Sequence, residues 1–489
     1  MYKPSSYQSA VFQFITEGSG NAVVQAVAGS GKTTTIINAL KLIPASKDVL
    51  FVAFSNEIVK ELKHRLSDSA PNVDVSTIHS YGNRIVFQNL KARMNEFKVR
   101  DYIKSNMDSW NIPQNVLDSG YADRVKKLID LSKLSLVNTE DELEVLAYKH
   151  QIDLYADEVS RALSVRTATN KLNKQYDYTD MLYFPINFNL IGKQYDFVFI
   201  DECQDLSVCQ QELVKKAIKP SGRFVAVGDP AQCIFGFAGS DTESFNKLVK
   251  IPNTITLPLS ISYRCAKNII KLAQQYVPHL EANDTAEDGV VNFDGKLADI
   301  GNEDMVLCRT NKPLVALCMR FLKENKKAYV KGKDIGRNLI NMLKGTKKTD
   351  IFEALQVIWE QREKMIQKFV RKNIAYQEAE SYPSIINFTD KYEVLDILAE
   401  GMNSVSEVID RIEGIFSNDS AGICLSTIHK SKGLEANRIF IVEPQIIPAP
   451  WAKKEWEIEQ ENNLAYVAYT RAKKVLTFIP RKEFTTYDR

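Results

Sequence analysis

The chain has 489 residues, 44% hydrophobic and 25% charged, which is the profile of a globular protein too long for one ordinary core. Its 63 Lys and Arg against 61 Asp and Glu leave a net charge of +2, which excludes a global attraction to polyanions, so any nucleic acid must be held in local grooves. No apolar run is long enough to span a bilayer and the opening MYKPSSYQSA lacks the regions of a signal peptide, so a cytoplasmic protein without membrane contact is expected.

The apolar run at 22–27 predicts a strand, and it empties into AVAGSGKTTT at 26–35, followed by IINAL. Gly29 and Gly31 let the backbone wrap an anion, Lys32 can reach the β and γ phosphates of a nucleotide, and the Thr33 hydroxyl can ligate Mg²⁺. A helix from Thr33 onward aims its positive end at the same phosphates, so Ala28, Gly29, Ser30, Gly31, Lys32, Thr33 and Thr34 form a phosphate cradle. A Gly-rich turn without a ligand is the competing reading, and the order strand, loop, helix counts against it.

Runs at 49–54 (VLFVAF), 197–200 (FVFI) and 223–227 (RFVAV) predict further buried strands. Helical patterns separate them, the signature of a parallel sheet covered on both faces. Between them the block from about 82 to 176 changes to polar helical patterns and reads as an insertion. A second set of strands is predicted at 304–308, 328–330, 423–427, 438–442 and 475–478, with another helical insertion at roughly 337–420. In the latter, Ile351, Leu355, Ile358, Met365 and Phe369 recur at helical spacing, a pattern that favours core packing over a partner groove. No internal sequence repeat stands out. The seven cysteines, at 203, 209, 233, 265, 308, 318 and 424, are scattered without a CxxC pair, which favours reduced thiols over zinc or a disulfide framework.

Two strand ends carry chemistry. FVFIDECQD (197–205) ends in adjacent carboxylates: Asp201 is placed to hold Mg²⁺ through water, and Glu202 to orient or deprotonate an attacking water. VAVGDPAQCIFGFAGS (225–240) repeats the design with Asp229 and Gln232, the latter suited to sensing a γ phosphate. Phe235 and Phe237 offer faces on which a base can stack without sequence preference.

The ordered series AGSGKT, FVAFSNEIVKELKHRL, STIHS, DECQD, VGDPAQCIFGFAG, SYR, TIHKSKGLE and LAYVAYTRAKK resembles the UvrD/Rep-type superfamily 1 DNA helicases, and within them looks most similar to the helicase part of the F-box DNA helicase. The motifs run from Gln8 to Arg471, nearly the whole chain. The resemblance implies an α/β fold of two RecA-like P-loop domains with parallel sheets. Residues 1–82 and 177–258 would form the first, 83–176 its helical insertion, 259–336 and 421–489 the second, and 337–420 a short second insertion.

It further implies ATP and Mg²⁺ in a cleft between the two domains, and single-stranded DNA or single-strand/duplex junctions as partner. A monomer moving 3′ to 5′, with a loading or single-strand-binding protein beside it, completes the picture. Gln8 would read the adenine edge, Tyr263 stack on adenine, and Glu435 touch the ribose. Lys32, Thr33, Asp201, Glu202 and Gln232 would handle phosphate, metal and water, and Arg264 and Arg471 would reach the γ phosphate. Phe54, Asn56, His79, Phe235, Phe237 and His429 would line the DNA track. Two departures stand out: Phe235 and Phe237 replace the usual Tyr and Trp, and Ala238 stands where an arginine usually follows. The second insertion is also shorter than in larger members.

Overall fold

β-Branched and aromatic residues dominate the short apolar runs, and these become strands in the computed structural model. It describes residues 3–53, 55–66, 70, 72–112, 121–150, 152, 154, 157–234, 243–371, 373–417 and 421–485. Two compact units divide the chain, Met1–Ser260 and Ile261–Arg489.

In the first unit the strands are β1 (Asn21–Ala26), β2 (Val49–Ala53), β3 (Val73–Thr77), β4 (Arg93–Met94), β5 (Gln175–Tyr176), β6 (Tyr195–Ile200), β7 (Ile218–Gly228) and β8 (Thr254–Leu259). Six of them form a sheet in the order β3-β2-β6-β7-β1-β8. All its pairings are parallel, with Phe51 level with Phe199 and Val23 level with Ala226. Alternate residues of each apolar run serve opposite faces. Val23, Leu50, Val52, Val198, Ile200 and Ala226 enter one core, while Val24, Phe51, Phe199 and Val225 enter the other. Burial on both faces is why these strands read as continuous hydrophobic runs.

Helices α1 (Ser6–Glu17), α2 (Lys32–Leu40) and α3 (Asn56–Leu66) bury Val11, Phe14, Ile36, Ile37 and Leu62 in the second of those cores. Helix α4 (Ile78–Leu90) covers the first, burying Ile78, Tyr81, Ile85 and Val86. Its Gly82 lies so close to the helix Tyr178–Asn187 that a Cβ there would fall 2.1 Å from the Met181 carbonyl oxygen.

The expected insertion boundary at 82/83 therefore cuts through α4 and is corrected here: Ile85, Val86 and Ala92 still pack on the sheet. The chain leaves the sheet domain at β4 and returns at β5, which pair with each other. Beyond them the helices Lys98–Asn106, Tyr121–Ser135, Glu140–Lys149 and Glu158–Lys171 bury their own core of Val99, Ile103, Val125, Leu128, Leu143 and Ala162. A buried ion triad fastens this body to the sheet domain. Lys98 Nζ lies 2.8 Å, and Lys133 Nζ 2.6 Å, from the two carboxylate oxygens of Asp180 on the helix Tyr178–Asn187.

The second unit contains β9 (Ile261–Ser262), β10 (Glu281–Ala282), β11 (Val290–Asn292), β12 (Met305–Cys308), β13 (Ala328–Lys331), β14 (Phe416–Ser417), β15 (Ile423–Thr427), β16 (Ala436–Val442) and β17 (Ala472–Ile479). Seven of them form another parallel sheet, ordered β11-β17-β16-β12-β15-β13-β14. The expected second insertion is corrected on two counts. Its first helix, Lys333–Gly345, begins before 337, and β14 inside the interval is a strand of the main sheet, where Phe416 pairs with Val330.

Leu339, Ile351, Ile358, Leu395 and Ile412 from its helices share one core with Val306, Leu425 and Phe440 of the sheet. These helices are therefore mainly a layer of the sheet domain, with only a small satellite core of Ile366, Phe369, Ala379 and Ile385. The stripe on the helix Ile351–Val370 is core, as its spacing suggested: Ile351, Leu355 and Ile358 are buried there.

Candidate active site

The carboxyl ends of the parallel strands bring the candidate residues together. β1 leads into the glycine loop, β6 into Asp201 and β7 into Asp229, and these three strands are neighbours in the order β6-β7-β1. Ligands of open parallel sheets bind at this edge. Gly29 (φ 73°) and Gly31 (φ 76°) are both left-handed, a conformation that carries no side-chain penalty only in glycine. Gly31 begins α2 without a side-chain cap, so the first-turn N–H groups have no capping acceptor and suit an anion. Within the loop the Ser30 hydroxyl is buried without a hydrogen-bond partner among the described residues.

Gln8 is 3% exposed and closes a capping box at the start of α1: its Oε1 accepts from Ser5 N–H at 3.0 Å, and Ser5 Oγ accepts from Gln8 N–H. Its Nε2 donates to Thr35 Oγ1 at 3.0 Å, and Thr35 in turn donates to the Gly31 carbonyl at 2.9 Å. Gln8 thus braces α1 against the first turn of α2, a role the S-x-x-Q pattern announces and the sequence reading missed. One acceptor site and one N–H of the amide remain for a base edge.

Lys32 Nζ lies 3.0 Å from Glu202 Oε1. Burial by itself would lower this ammonium, but Glu202, Asp201 and Asp229 together raise it above an ordinary lysine. Asp201 is buried, and burial followed by the adjacent Glu202 charge pushes its carboxyl up to about 7 against the pull of Lys32. Asp229 is likewise raised by burial. Glu202 itself occupies a left-handed backbone (φ 49°, ψ 46°), a conformation costing roughly 1–3 kcal/mol in a non-glycine residue and enriched at functional sites. The hard oxygen donors Asp201 and Thr33 suit Mg²⁺, which commonly takes one or two carboxylates plus phosphate oxygens. A divalent cation at Asp201 would also supply the charge its burial lacks.

Gln204 joins these parts and was not singled out by the sequence. It is 1% exposed, its Nε2 donates to Glu202 Oε2 at 2.6 Å, and its Oε1 accepts from the Asp229 N–H at 3.0 Å. Asp229 Oδ2 accepts from Gln232 Nε2 at 2.8 Å, so the candidate γ-phosphate sensor is held by the same chain of bonds.

In the second unit, Arg264 Nε sits 2.6 Å from Glu435 Oε2, and Lys473 Nζ 2.7 Å from Glu435 Oε1. Against its burial, Lys473 and Arg264 hold the Glu435 carboxyl below its ordinary range. Arg264 also donates to the Thr470 carbonyl. Tyr263 beside it is 47% exposed, a ring face open to a ligand. Arg471 is 1% exposed, and its guanidinium donates to the carbonyls of Val467 and Leu434 and to Thr470 Oγ1. These bonds hold the turn that ends the helix Glu455–Tyr469, and the Thr470 carbonyl in that turn also accepts from Arg264.

Of the expected DNA-track residues, Phe54, Phe235 and Phe237 lie outside the described residues, as does Ala238. Asn56 is exposed at the start of α3. His79 and His429 occupy matching places, His79 in the first turn of α4 just after β3 and His429 in the turn after β15. The tetrapeptide Ser-Thr-Ile-His recurs at 76–79 and 426–429. In both copies the Ser hydroxyl donates to the following Thr carbonyl and the Thr hydroxyl accepts from the N–H three residues on. Two sheets therefore end one strand in the same turn, a short repeat the sequence reading overlooked. Burial lowers His79, and burial with the Arg309 charge lowers His429 to about 3, so both imidazoles are neutral near pH 7.

Residues 8–252 match the model of the UvrD/REP helicase N-terminal domain, and residues 333–483 that of the UvrD-like helicase C-terminal domain. A probable DNA helicase II homolog of Mycoplasma genitalium is 23% identical over 95% of this chain and 83% of its own length. F-box DNA helicase protein 1 of Schizosaccharomyces pombe is 23% identical over 93% of the chain and 55% of its own length. The ATP-dependent DNA helicase PcrA of Staphylococcus epidermidis is 25% identical over 53% of the chain. The chain spans little more than half of the second relative, and the match to the third covers 38% of that protein.

Proposed function

Since this chain belongs to the UvrD/Rep helicase family, whose members are ATP-dependent DNA helicases, we propose that it is a motor that hydrolyses ATP to move 3′ to 5′ along single-stranded DNA. The observation carrying this is the bonded chain Lys32–Glu202–Gln204–Asp229–Gln232 at the ends of three adjacent parallel strands. Such a chain links a phosphate-binding lysine, a carboxylate able to handle water and an amide able to sense the γ phosphate, which turnover needs and mere nucleotide storage does not.

Residues Ala28 to Thr34 cradle the phosphates, Thr33 and Asp201 hold Mg²⁺, and Gln8, Tyr263 and Glu435 recognise adenosine. The metal, when bound, neutralises charge developing on the phosphates. Arg264 and Arg471 supply the stabilising guanidinium groups, and Arg471 also bonds Thr470 in the turn whose carbonyl accepts from Arg264. Asn56, His79 and His429, with Phe54, Phe235 and Phe237, line the strand's path, the histidines as neutral hydrogen-bonding groups. The protein acts as a cytoplasmic monomer at single-strand/duplex junctions, with a loading or single-strand-binding protein as partner.

Steady-state ATPase rates with no polymer, single-stranded DNA, duplex DNA and RNA of equal length test the proposal. Strong stimulation by single-stranded DNA is expected, and equal rates under all four conditions would overturn it.

A second reading keeps the motor but replaces unwinding by removal of proteins bound to the single strand. It is favoured by the helices at 333–415, which mainly share the sheet's core instead of forming a separate duplex-engaging body. Efficient unwinding of a bare tailed duplex would reject it.

A further inference from the structure

We propose that Gln204 is a positioning residue for ATP hydrolysis: it clamps the Glu202 carboxylate to the strand end that carries Gln232, an inference resting on the reading that Glu202 handles the attacking water. A carboxamide offers a donor and an acceptor, and Gln204 uses both. Nε2 donates to Glu202 Oε2 at 2.6 Å and to Asp205 Oδ2 at 3.3 Å, while Oε1 accepts the Asp229 N–H at 3.0 Å. Neither a carboxylate nor an apolar side chain can do both.

The backbone is arranged for this clamp. Gly228, the last residue of β7, has no Cβ where one would stand 2.4 Å from Gln204 Oε1 and 2.7 Å from Cys203 Sγ. That close approach lets a single side chain bridge the ends of β6 and β7. On the other side, Glu202 stands on a left-handed residue whose carboxylate is shared between two partners, Lys32 on Oε1 and Gln204 on Oε2.

The division of partners has a mechanical result. When nucleotide phosphates draw Lys32 away, Oε1 loses its cation, whereas Oε2 stays fixed by Gln204. Glu202 then keeps its Gln204 anchor on Oε2 while its bond to Lys32 changes, which orients the carboxylate toward a water without letting it swing. Any shift of Asp229 on meeting the γ phosphate reaches Glu202 through two hydrogen bonds, the Asp229–Gln204 bond buried, where such bonds are strong, and the Gln204–Glu202 bond partly buried.

The test uses the whole chain carrying Gln204→Leu, which removes both arms, and Gln204→Glu, which keeps the acceptor for Asp229 but turns the grip on Glu202 into repulsion. Each is made alone and with Glu202→Gln, and each is assayed for DNA-stimulated ATPase and for binding of a fluorescent ATP analogue. Both single variants are expected to lose roughly 10- to 100-fold in kcat, as loss of an outer-shell partner does, with KM and analogue affinity held within about threefold. In the Glu202→Gln background neither should lower kcat further.

Wild-type kcat in both Gln204 variants, with Glu202→Gln inactive, would overturn the proposal and leave the active-site reading intact. Loss of analogue binding in parallel with kcat in both variants would also overturn it, by assigning Gln204 to fold support. Wild-type turnover in Glu202→Gln would sink the reading beneath it.

Discussion

Lys32 on the glycine loop is ion-paired to Glu202 at the end of β6, Nζ to Oε1 at 3.0 Å, so the candidate phosphate-binding cation is paired with the carboxylate proposed to handle water. Arg264 stands in the same relation to Glu435 in the second unit, at 2.6 Å. Each unit pairs its candidate catalytic cation with one of its own carboxylates, and in the proposed function nucleotide binding exchanges carboxylate for phosphate. The exchange favours nucleotide because a polyphosphate carries more charge and offers bonds to the loop N–H groups that Glu202 does not.

Lys32→Ala should abolish ATPase while leaving DNA affinity within about threefold, because removing a group that acts on phosphate leaves the DNA track untouched. Glu202→Gln should separate binding from chemistry in the opposite sense. Removal of the competing charge frees Lys32, so nucleotide affinity is unchanged or tighter, while kcat falls by roughly 10² to 10⁴ through loss of general-base assistance. Titration with a fluorescent ATP analogue beside single-turnover hydrolysis measures both, and weaker binding by Glu202→Gln would contradict the competition.

In the second unit, Arg264→Lys should be nearly as damaging as Arg264→Ala, with kcat down by roughly 10³ or more, since a lysine keeps the charge but loses the planar fork that stabilises phosphoryl transfer. Glu435→Ala leaves Arg264 and Lys473 without their shared carboxylate, so kcat should fall less than in Arg264→Ala and KM should rise as well. DNA-stimulated ATPase curves against ATP concentration separate the two patterns.

The central strands were legible because burial on both faces leaves unbroken apolar runs, as in VLFVAF and FVFI. The strands missed in each sheet include its edges, β3 and β8 in the first and β11 and β14 in the second; half-exposed positions interrupt the run in β3, β8 and β11, and β14 is only 2 residues long. Helical periodicity located the insertion helices but says nothing about which body they pack on. That is why the boundary at 82/83 cut through α4, and why the helices beyond 333 read as a separate insertion. At the site, motif order indicated Lys32, Asp201 and Glu202, but not their ligand-free partners. Lys32 meets Glu202 across 170 residues of chain, and Arg471 turns into carbonyls that no spacing rule reveals.

Asp180 offers a test of how firmly the first insertion is fastened. Lys98 and Lys133 are both essentially buried against it, so Asp180→Asn leaves two buried ammonium groups without their shared counter-ion. The expected loss is roughly 3–5 kcal/mol of stability in the first unit, the scale for breaking a buried pair from one side. Against burial, Lys133 and Lys98 hold the Asp180 carboxyl below the ordinary carboxylate value. Its contribution is therefore complete above the unfolded carboxylate pKa of about 4 and is lost as pH falls through the lower folded value. Thermal melts from pH 7 down to pH 3 check the sign: the wild type should lose stability at the acid end, and Asp180→Asn should lose less there, having lost it already at pH 7.

The two track histidines make a prediction of the opposite kind. His429 is lowered to about 3 by burial and the Arg309 charge, and His79 is lowered by burial. His429 is thus neutral across pH 6–8 and adds no charge to the proposed DNA path as pH falls toward 6, while His79 takes up its proton at lower pH than an ordinary imidazole. A histidine with an ordinary pKa of about 6.5 would gain a proton in that interval and tighten phosphate binding. Nucleotide-free affinity for a single-stranded oligonucleotide, measured at constant ionic strength, should accordingly follow the same profile between pH 8 and pH 6 in the wild type and in His429→Gln. Substituting either histidine by Gln, which keeps a neutral donor, should cost less than about fivefold in affinity. Affinity that climbs as pH drops toward 6, and loses the climb in His429→Gln, would show that this imidazole bears charge on DNA and that its burial is relieved when the strand binds.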